Sequence, residues 1–581
     1  MPERPRAASS SCGSPVPDPS ARPWWQAGVL YHVYPRSFQD ADGDGSGDLD
    51  GITARLGTIA GLGVDAVWIS PFYPSPQADG GYDVADYCDV DPLFGDLAAF
   101  DRLAAAAHGL GLRVVVDWVP NHASDRHPWF ASARASRDSP HRAWFVWRDA
   151  RSGTGPGTDL PPEPPNNWLS AFGGPAWTWD AATAQFYLHS FLAEQPDLNW
   201  RDAGLREAML ATLRFWMDRG ADGFRIDTAV HIAKDPRFRD NPPDPAPDAG
   251  HKPVTAYERQ QHAHDRFHPD AHGYFKTFRG LVDTHARPDG TVPERALFGE
   301  IHLARDLPAW ATTFGTPHAP ELHLPLNFGL LAAPWTAAGL REHVEAVEAA
   351  VPEWAWPSYV LGSHDERRLV ARVGAAGARL AGVLLLTLRG TPTLYAGDEI
   401  GTPDVDVPPD RVRDPAGVRV PGTGRDSGRT PMAWDASPSA GFSDAPPDAL
   451  WLPLHPGHEA LNVAAQLADP GSLLALYRRL LALRRAVPAL HGGAYRTLRG
   501  VPETVFGYER TAGESRALVL LNLGATGVAA GLPGGAWTVA VSTHDAPPEV
   551  EASGRTGLRA GEGVVLTPRR GRSASAGPTG R

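Results

Sequence analysis

The sequence predicts an α/β protein built on a (β/α)8 (TIM) barrel, with a subdomain inserted after the third strand and a C-terminal β-sandwich. Short apolar, β-rich runs alternate with longer helical patterns, as in βα units around a parallel sheet. About a hundred residues separate the third run from the fourth, whereas βα loops usually have about 2–6 residues. After about Arg485 the pattern changes to short strands between Gly-rich turns, which is typical of a sandwich.

Composition indicates a folded globular protein with a neutral partner. Of the 581 residues, 42% are hydrophobic and 21% are charged. The formal net charge of −13 argues against nucleic acid or an anionic membrane surface as a partner, because both require basic patches. We therefore predict a small neutral substrate, no nucleic acid and no membrane; the oligomeric state stays open.

The cysteines and apolar runs predict a cytoplasmic location. Cys12 and Cys88 are the two cysteines, too few for a disulfide framework or a four-cysteine zinc site. The N-terminal stretch 1–23 lacks the apolar run of a secretory signal. The longest apolar run, 380–388, is too short to span a bilayer.

The eight predicted strands should carry the functional groups at their carboxyl ends, because these ends open onto one face of such a barrel. Several runs end in polar residues, among them Asp227, Glu300 and Asp365. The predicted strands are 29–34, 66–70, 113–119, 223–226, 296–299, 321–324, 359–362 and 393–396.

Domain boundaries follow from these runs. We predict disordered tails at 1–22 and 569–581, because both are rich in small, polar and proline residues. Between them we predict the first part of the barrel at 23–122, an inserted subdomain at 123–200, the second part of the barrel at 201–488 and the β-sandwich at 489–568.

The loop after the first strand predicts a structural divalent cation site, calcium or alternatively magnesium. Its oxygen-bearing residues alternate with glycines, so that the chain can curl around one hard cation. The predicted ligands are Asp40, Asp42, Asp44, Ser46 through its carbonyl, and Asp48.

Three other interpretations of this loop are weaker. An EF-hand requires Glu at its twelfth position, where this sequence has Gly51. A phosphate-binding loop is disfavoured because the aspartates would repel a pyrophosphate. A solvated acidic turn remains the plain alternative.

Two carboxyl groups at strand ends have the pattern of a retaining glycoside hydrolase, which uses one as nucleophile and one as acid/base. Asp227 lies two residues after Arg225, and on an extended segment both side chains point the same way, so Arg225 should keep Asp227 ionised. Glu300 ends a strand among apolar neighbours, where burial should raise its pKa toward that of a general acid.

Five histidines between residues 251 and 272 suggest a zinc site by spacing alone. We disfavour it because nothing places them on one face. They are His251, His262, His264, His268 and His272.

Four segments resemble, in order, the four signature regions of the α-amylase family, glycoside hydrolase family 13: 114–122 (VVVDWVPNH), 223–228 (GFRIDT), 298–300 (FGE) and 361–365 (LGSHD). Segments 195–199 (QPDLN), 81–87 (GYDVADY) and 424–432 (GRDSGRTPM) resemble its α-glucosidase and oligo-1,6-glucosidase branch. Ser363 departs from the usual Asn of its motif, which puts fine positioning in doubt.

The resemblance implies a role for each matching residue. Asp227 is the expected nucleophile, Glu300 the acid/base and Asp365 the third carboxylate, which grips the sugar hydroxyls. Asp83 and Arg425 are expected to pair and close the non-reducing end, with Arg429 as an alternative partner for Asp83. The expected glucose-binding residues are Tyr82, Asp83, His122, Arg225, Thr228, His364 and Arg425.

These residues imply a retaining α-glucosidase that acts on short oligosaccharides or α-glucosides. In this branch, Val after the nucleophile goes with α-1,6 preference and Ala or Thr with α-1,4 action, so Thr228 implies α-1,4. A transglucosylase, an isomerase such as a trehalose synthase, and an oligo-1,6-glucosidase remain alternatives. A catalytically inactive transporter-accessory relative is disfavoured, because all three carboxylates are present.

Overall fold

The computed structural model describes residues 22–157, 160–247, 254–287, 289–303, 306–420, 422–544, 547, 549–550 and 554–569. The predicted tails lie outside these ranges, apart from Arg22 and Arg569, as do Cys12 and His251.

Eight parallel strands form the predicted barrel. Seven neighbouring pairs are joined by parallel hydrogen-bond ladders, and the sheet order is β6-β5-β4-β3-β2-β1-β8-β7. The strands are β1 (Leu30–Val33), β2 (Ala66–Ile69), β3 (Arg113–Trp118), β4 (Gly223–Ile226), β5 (Ala296–Glu300), β6 (Leu324–Leu326), β7 (Ser358–Val360) and β8 (Thr391–Tyr395).

The sixth strand was predicted at the wrong place. The expected run 321–324 overlaps β6 at one residue only, because the strand begins at Leu324 and continues through Pro325 to Leu326. Proline has no N–H to donate to a ladder and is confined to strand edges and strand ends. The sequence therefore argued against a strand where one exists.

A serine side chain joins β6 to β7, where the described residues show no ladder. Ser358 Oγ donates to the carbonyl of Pro325 at 2.8 Å and accepts the N–H of Asn327 at 3.2 Å. The N and C=O of a strand residue point to the same side. The carbonyl of Pro325 faces β7, so its nitrogen, which carries no hydrogen, also faces this interface between β6 and β7, the seam. The barrel thus closes through a side chain at the position where proline interrupts the ladder.

Helices surround the barrel, and several begin at a residue whose side chain caps the first turn. Asp48, Asp96 and Asp202 accept backbone N–H groups of the helices that follow them. The helices are α1 (Leu49–Leu62), α2 (Leu97–Gly109), α3 (Ala203–Asp218), α4 (Asp270–Thr284), α5 (Leu307–Thr312), α6 (Ala337–Ala350), α7 (Leu369–Thr387) and α8 (Leu473–Ala486). Short helices lie at Trp24–Ala27, Pro128–Ala135, Gly329–Ala332, Pro415–Arg419, Val463–Ala468 and Pro488–Gly492.

Side chains alternate between two cores along the strands. Trp68, Val115 and Phe298 belong to a cluster inside the barrel, whereas Val67 and Val116 pack outward against the helices. The barrel is therefore filled, and polar groups collect at its carboxyl-terminal end.

Smaller β-structures accompany the barrel, among them a two-stranded ribbon of Gly315–Thr316 and Ala319–Pro320. Between β3 and β4, the strands Trp147–Arg148, Gln185–Leu188 and Trp177–Asp180 form a three-stranded antiparallel sheet. Towards the C-terminus, a five-stranded antiparallel sheet and a two-stranded sheet enclose their own core, as expected for a β-sandwich. Their strands are Ala494–Thr497, Val505–Ala512, Ser515–Asn522, Gly563–Pro568 and Trp537–Ser542, then Val528–Gly531 and Arg555–Leu558.

Among the described residues, α7 is the one helix long and apolar enough to cross a membrane by length and composition. Its second half, from Gly377 to Thr387, is buried except for Arg379. Core helices of this kind have the same composition, so the apolar residues of α7 are accounted for by packing.

We predict that Ser358→Ala lowers the free energy of unfolding by about 1–3 kcal/mol, because it leaves the buried N–H of Asn327 without a partner. Urea unfolding followed by tryptophan fluorescence measures this. The matched control is Thr393→Val in β8, whose buried hydroxyl has no hydrogen-bond partner among the described residues. A loss no larger in Ser358→Ala than in Thr393→Val would contradict the role of the seam.

Candidate active site

Arg225 brings three buried carboxyl groups together at the carboxyl end of the barrel. Its Nη1 donates to Asp227 Oδ1 at 2.7 Å and to Asp117 Oδ1 at 2.8 Å, and its Nη2 lies 2.8 Å from Glu300 Oε2. Asp117 lies in β3, Glu300 ends β5, and Asp227 follows β4 directly. The predicted contact between Arg225 and Asp227 is confirmed.

Thr228 touches both catalytic candidates. Its N–H donates to Glu300 Oε2 at 2.6 Å, and its hydroxyl donates to Asp227 Oδ2 at 3.1 Å. Its backbone is left-handed, with φ 41° and ψ 41°, which is strained for a β-branched residue. The strain aims the N–H and the side chain of Thr228 at the two carboxyl groups.

The expected pKa shifts of the two carboxyl groups are reversed in the structure. Burial raises the pKa of Asp227 well above its usual value, although Arg225 opposes the shift. Burial would also raise the pKa of Glu300, but Arg225 and then His302 lower it to about 2. The sequence did not suggest that Arg225 and His302 both contact Glu300.

A proton is nevertheless retained in this cluster. Burial raises the pKa of Asp117 to about 6 against the opposing charge of Arg225. Three buried carboxyl groups share one guanidinium, so full ionisation would leave an uncompensated negative charge away from water. Groups this close titrate together, and the proton belongs to the set rather than to one residue.

Asp365 lies across the site, fixed by two arginines. Its Oδ1 accepts bonds from Arg425 Nη1 at 3.0 Å and Arg429 Nη2 at 2.9 Å. Burial opposes ionisation, but His364, Arg425 and Arg429 hold the pKa of Asp365 well below its usual value. Ser363 Oγ accepts the N–H of Asp365 at 3.2 Å, so the unusual serine still supports the third carboxylate.

The predicted pair between Asp83 and Arg425 is wrong, and so is the alternative pair with Arg429. The carboxylate of Asp83 is fully buried and binds Ser75 Oγ and the N–H groups of 78 and 79 at 2.8–3.0 Å. Arg425 Nη2 instead donates to Asp79 Oδ1 at 2.7 Å. These bonds direct the carboxylate of Asp83 into its own loop, away from both arginines.

Three further side chains predicted to bind sugar do lie together. Tyr82 OH is 3.0 Å from Asp117 Oδ2 and 2.9 Å from His364 Nε2. His122 Nε2 is 3.2 Å from the carbonyl of Tyr82. Burial lowers the pKa of His122 to about 4 and that of His364 to about 3, so both rings are neutral hydrogen-bonding groups near pH 7.

A buried network that includes Asp197 of the inserted segment holds His122 in place. Lys234 Nζ donates to Asn121 Oδ1 at 2.7 Å and lies 2.6 Å from Asp197 Oδ2. Asn121 Nδ2 lies 3.0 Å from His122 Nδ1. Asp197 belongs to the QPDLN segment, so this motif supports His122 from behind.

The acidic loop brings three of its predicted ligands together. One carboxylate oxygen from each of Asp40, Asp42 and Asp48 lies within 4.8 Å of the others. Gly45, with φ 95°, lets the loop pass the carbonyl of Ala449, which would lie 2.3 Å from an added Cβ. Carboxylate oxygens grouped in this way fit a hard divalent cation.

Asp44 is not part of that group, and its Oδ1 accepts the N–H of Ser46 at 2.7 Å. The carbonyl of Ser46 stays a predicted ligand. Asp48 also accepts the N–H of Gly51 and caps α1, so the loop is tied to the helix that follows.

The histidine-rich segment does not form a metal site in the part of the chain that the structure describes. His262 binds Asp265 and His272 binds Glu321, each at 2.7 Å. His264 and His268 have other acidic neighbours. These side chains are separate surface and loop contacts.

Sequence reasoning missed four residues that the site depends on. Asp117 had a signal, since it is a lone carboxylate in the apolar strand RVVVDW. Asp79 could not be distinguished from Asp83 without the loop conformation. Asp414, which accepts three N–H groups of Arg425, and His302 beside Glu300 carried no signal in the sequence.

Comparison with known proteins agrees with this geometry. The family model described as "Alpha amylase, catalytic domain" matches residues 32–493. The chain is 42% identical over 517 residues to a probable α-glucosidase of Rhizobium meliloti (strain 1021), with 86% of this chain and 90% of that protein covered.

Two solved structures have the same fold over nearly the whole chain. An α-glucosyl transfer enzyme superposes with a TM-score of 0.86 at 40% identity, with 94% of this chain and all of that chain covered. The trehalulose synthase of Pseudomonas mesoacidophila MX-45 superposes with a TM-score of 0.82 at 33% identity and the same coverage.

Proposed function

The chain belongs to the α-amylase family of glycoside hydrolases, and from this premise we propose that it is a retaining α-glucosidase. The proposed substrate is a short oligosaccharide or α-glucoside, from which the enzyme removes the terminal α-1,4-linked glucose at the non-reducing end. The observation that carries the proposal is the contact of Asp227 and Glu300, on adjacent strands, with the single guanidinium of Arg225.

Retention requires two displacements at the anomeric carbon. In the proposed mechanism Asp227 attacks C1 while Glu300 protonates the departing oxygen. Glu300 then deprotonates a water molecule that attacks C1 and releases Asp227. Arg225 stays in contact with both groups, so it stabilises each carboxylate in the step where it carries the charge.

The first step requires the proton of the cluster on Glu300 and an ionised Asp227. The free enzyme favours the opposite distribution, as the two pKa shifts indicate. Because the coupled groups share their proton, a sugar hydroxyl that hydrogen-bonds to ionised Asp227 would favour the proton on Glu300. We propose that substrate binding sets the protonation state needed for catalysis.

The pair of Asp79 with Arg425 supports action on chain ends. Arg425 binds Asp79, Asp365 and Asp414 at once, which joins three segments across one end of the site. We propose that this bridge leaves space for one glucose and excludes a chain that continues past it. Asp79 replaces Asp83 in this role.

We predict that Asp227→Asn abolishes turnover of maltose while leaving the fold intact, because no glucosyl-enzyme ester can form. Glu300→Gln should lose about 10²–10⁴-fold on maltose and much less on p-nitrophenyl α-glucoside, whose leaving group needs little protonation. Steady-state kinetics and melting curves measure both. Proton NMR of the wild-type reaction should show α-glucose first, and initial β-glucose would exclude retention.

We also propose that Asp40, Asp42 and Asp48 hold a structural divalent cation, calcium or alternatively magnesium. Burial and then the neighbouring carboxylates raise the pKa of Asp42, which indicates unfavourable negative charge in the loop. A bound cation would neutralise it and fix the start of α1.

A chelator should therefore lower the melting temperature. A cation that binds only the folded state contributes about 2.7 kcal/mol at a hundredfold excess over its Kd. Asp42→Asn should abolish the response to EDTA and calcium, whereas Asp44→Asn, outside the three-carboxylate group, should keep it. Elemental analysis without bound metal, together with a melting temperature insensitive to both reagents, would refute the site.

The proposed α-1,4 preference rests on Thr228. Its side chain is half-buried beside both catalytic groups, where the sugar on the leaving side must pass. Differences of one methyl or hydroxyl group there change discrimination by about 1–3 kcal/mol, which gives a preference rather than exclusion.

We predict that wild-type kcat/KM on maltose exceeds that on isomaltose and on starch. Thr228→Val should shift the ratio toward isomaltose and also lower kcat, because the hydroxyl that binds Asp227 is lost. Thr228→Ser keeps this hydroxyl and serves as the control. Comparable kcat/KM on maltose and starch, or isomaltose preference in the wild type, would overturn the assignment.

A transglucosylase or isomerase is the second candidate, favoured by the solved structures of a glucosyl transfer enzyme and a trehalulose synthase. Such an enzyme uses the same covalent intermediate with a sugar as acceptor. Product chromatography from maltose, sucrose and trehalose distinguishes the two. Hydrolysis of maltose releases two glucose molecules per bond cleaved, whereas transfer releases one and builds a longer saccharide, and isomerisation releases none. We keep the proposal of a cytoplasmic location, which immunolocalisation would test.

A further inference from the structure

His302 contacts the catalytic carboxyl group of Glu300 from outside the barrel. Its Nε2 is 2.7 Å from Glu300 Oε1. The other oxygen, Oε2, is bound by Thr228 N and Arg225. The barrel therefore fixes one oxygen of Glu300, and His302 fixes the other.

The imidazole of His302 has a defined position but is open to solvent. Its ring stacks on Phe328, with centroids 4.8 Å apart and planes 17° apart. Its side chain is 46% exposed, whereas the side chain of Glu300 is 5% exposed. The ring that contacts the buried Glu300 is thus itself open to solvent.

The other charged groups around Glu300 come from three neighbouring segments. Arg225 and Asp227 face it from β4 and its end, Asp117 from β3 and Asp365 from the loop after β7. The most exposed of these four is Asp365, whose side chain is 28% exposed. Among the described neighbours, His302 is therefore the group best placed to respond to what enters the site.

We propose that His302 is a positioning residue that controls the proton of Glu300 and orients Oε1 toward the leaving group and the acceptor. The inference rests on the proposed function and deepens it. A group that gives a proton in one step and takes one in the next needs a neighbour that can hydrogen-bond to both forms. A neutral imidazole does so, because its nitrogen can accept from a carboxyl O–H or donate to a carboxylate.

The proton balance leaves His302 unchanged over a cycle. Glu300 gives its proton to the glycosidic oxygen as the bond from C1 to that oxygen breaks and the bond from C1 to Asp227 forms. Water then bonds to C1, the ester to Asp227 breaks, and the proton of water goes to Glu300. His302 only changes its tautomer, through solvent at its exposed face.

The test is the pH profile of kcat/KM on maltose for wild type, His302→Phe and His302→Gln. Phenylalanine keeps a ring on Phe328 but has no hydrogen-bonding atom, and glutamine restores an amide donor. His302 lowers the pKa of Glu300, so removing it should raise that pKa. The proton that the carboxyl groups share then resides on Glu300 to a larger extent, and the basic limb of the coupled set should move up by about one unit in His302→Phe. His302→Gln should move it less.

The matched control is His272→Phe. His272 makes the same kind of contact, with Nδ1 2.7 Å from Glu321 Oε2, but lies on α4 away from the catalytic groups. Its profile should equal that of the wild type. A basic limb unchanged in His302→Phe, or shifted equally in His272→Phe, would overturn the proposal.

A second measurement keeps this test separate from that of the proposed function. The pH dependence of the Glu300 carboxyl band, from infrared difference spectra against Glu300→Gln, needs no turnover. A wild-type chain that cleaves no α-glucoside would refute the proposed function alone. An identical carboxyl titration with and without His302 would refute the role of His302 alone.

Discussion

The site depends on one buried cation. Arg225 is 2% exposed and touches Asp117, Asp227 and Glu300, which come from three consecutive strands of the barrel. A guanidinium suits this position because it is planar, always charged and presents several donors in fixed directions. A lysine ammonium is a single nitrogen on a flexible chain, whereas here two nitrogens of one rigid group share the three contacts. Removing the charge would leave those groups buried together without compensation.

The periodicity of the sequence was enough to predict the barrel and the strand ends that carry the chemistry. Asp227, Glu300 and Asp365 follow buried apolar runs, and parallel strands bring such ends together whatever their separation in the chain. The sixth strand was misplaced because Pro325 lies within it, and proline is unusual inside a strand. Ser358 explains why proline fits there, because its hydroxyl binds the carbonyl of Pro325. Alternation of apolar residues carries no information of that kind.

Contacts between loops were predicted less well than contacts between strands. Asp79 and Asp83 stand four residues apart in one loop, and only its backbone conformation decides which carboxylate faces Arg425. The pKa of Glu300 was also predicted in the wrong direction, because charged and hydrogen-bonding side chains, and not only its apolar neighbours in the sequence, surround it in space. The pKa of Glu300 depends on Arg225, which lies in β4, and on His302, which lies in the loop after β5.

The strand interfaces of the barrel differ in their number of backbone hydrogen bonds, and the seam at Ser358 has the fewest. Seven strand interfaces are held by backbone ladders, whereas β6 and β7 meet through one hydroxyl group. Local opening starts where the fewest backbone hydrogen bonds must break, so amide exchange should begin at this interface. The strand on one side of it, β6, pairs directly with β5, which ends in Glu300. The acid/base thus lies one strand away from the interface with the fewest backbone hydrogen bonds, so opening there would reach Glu300 through a single ladder.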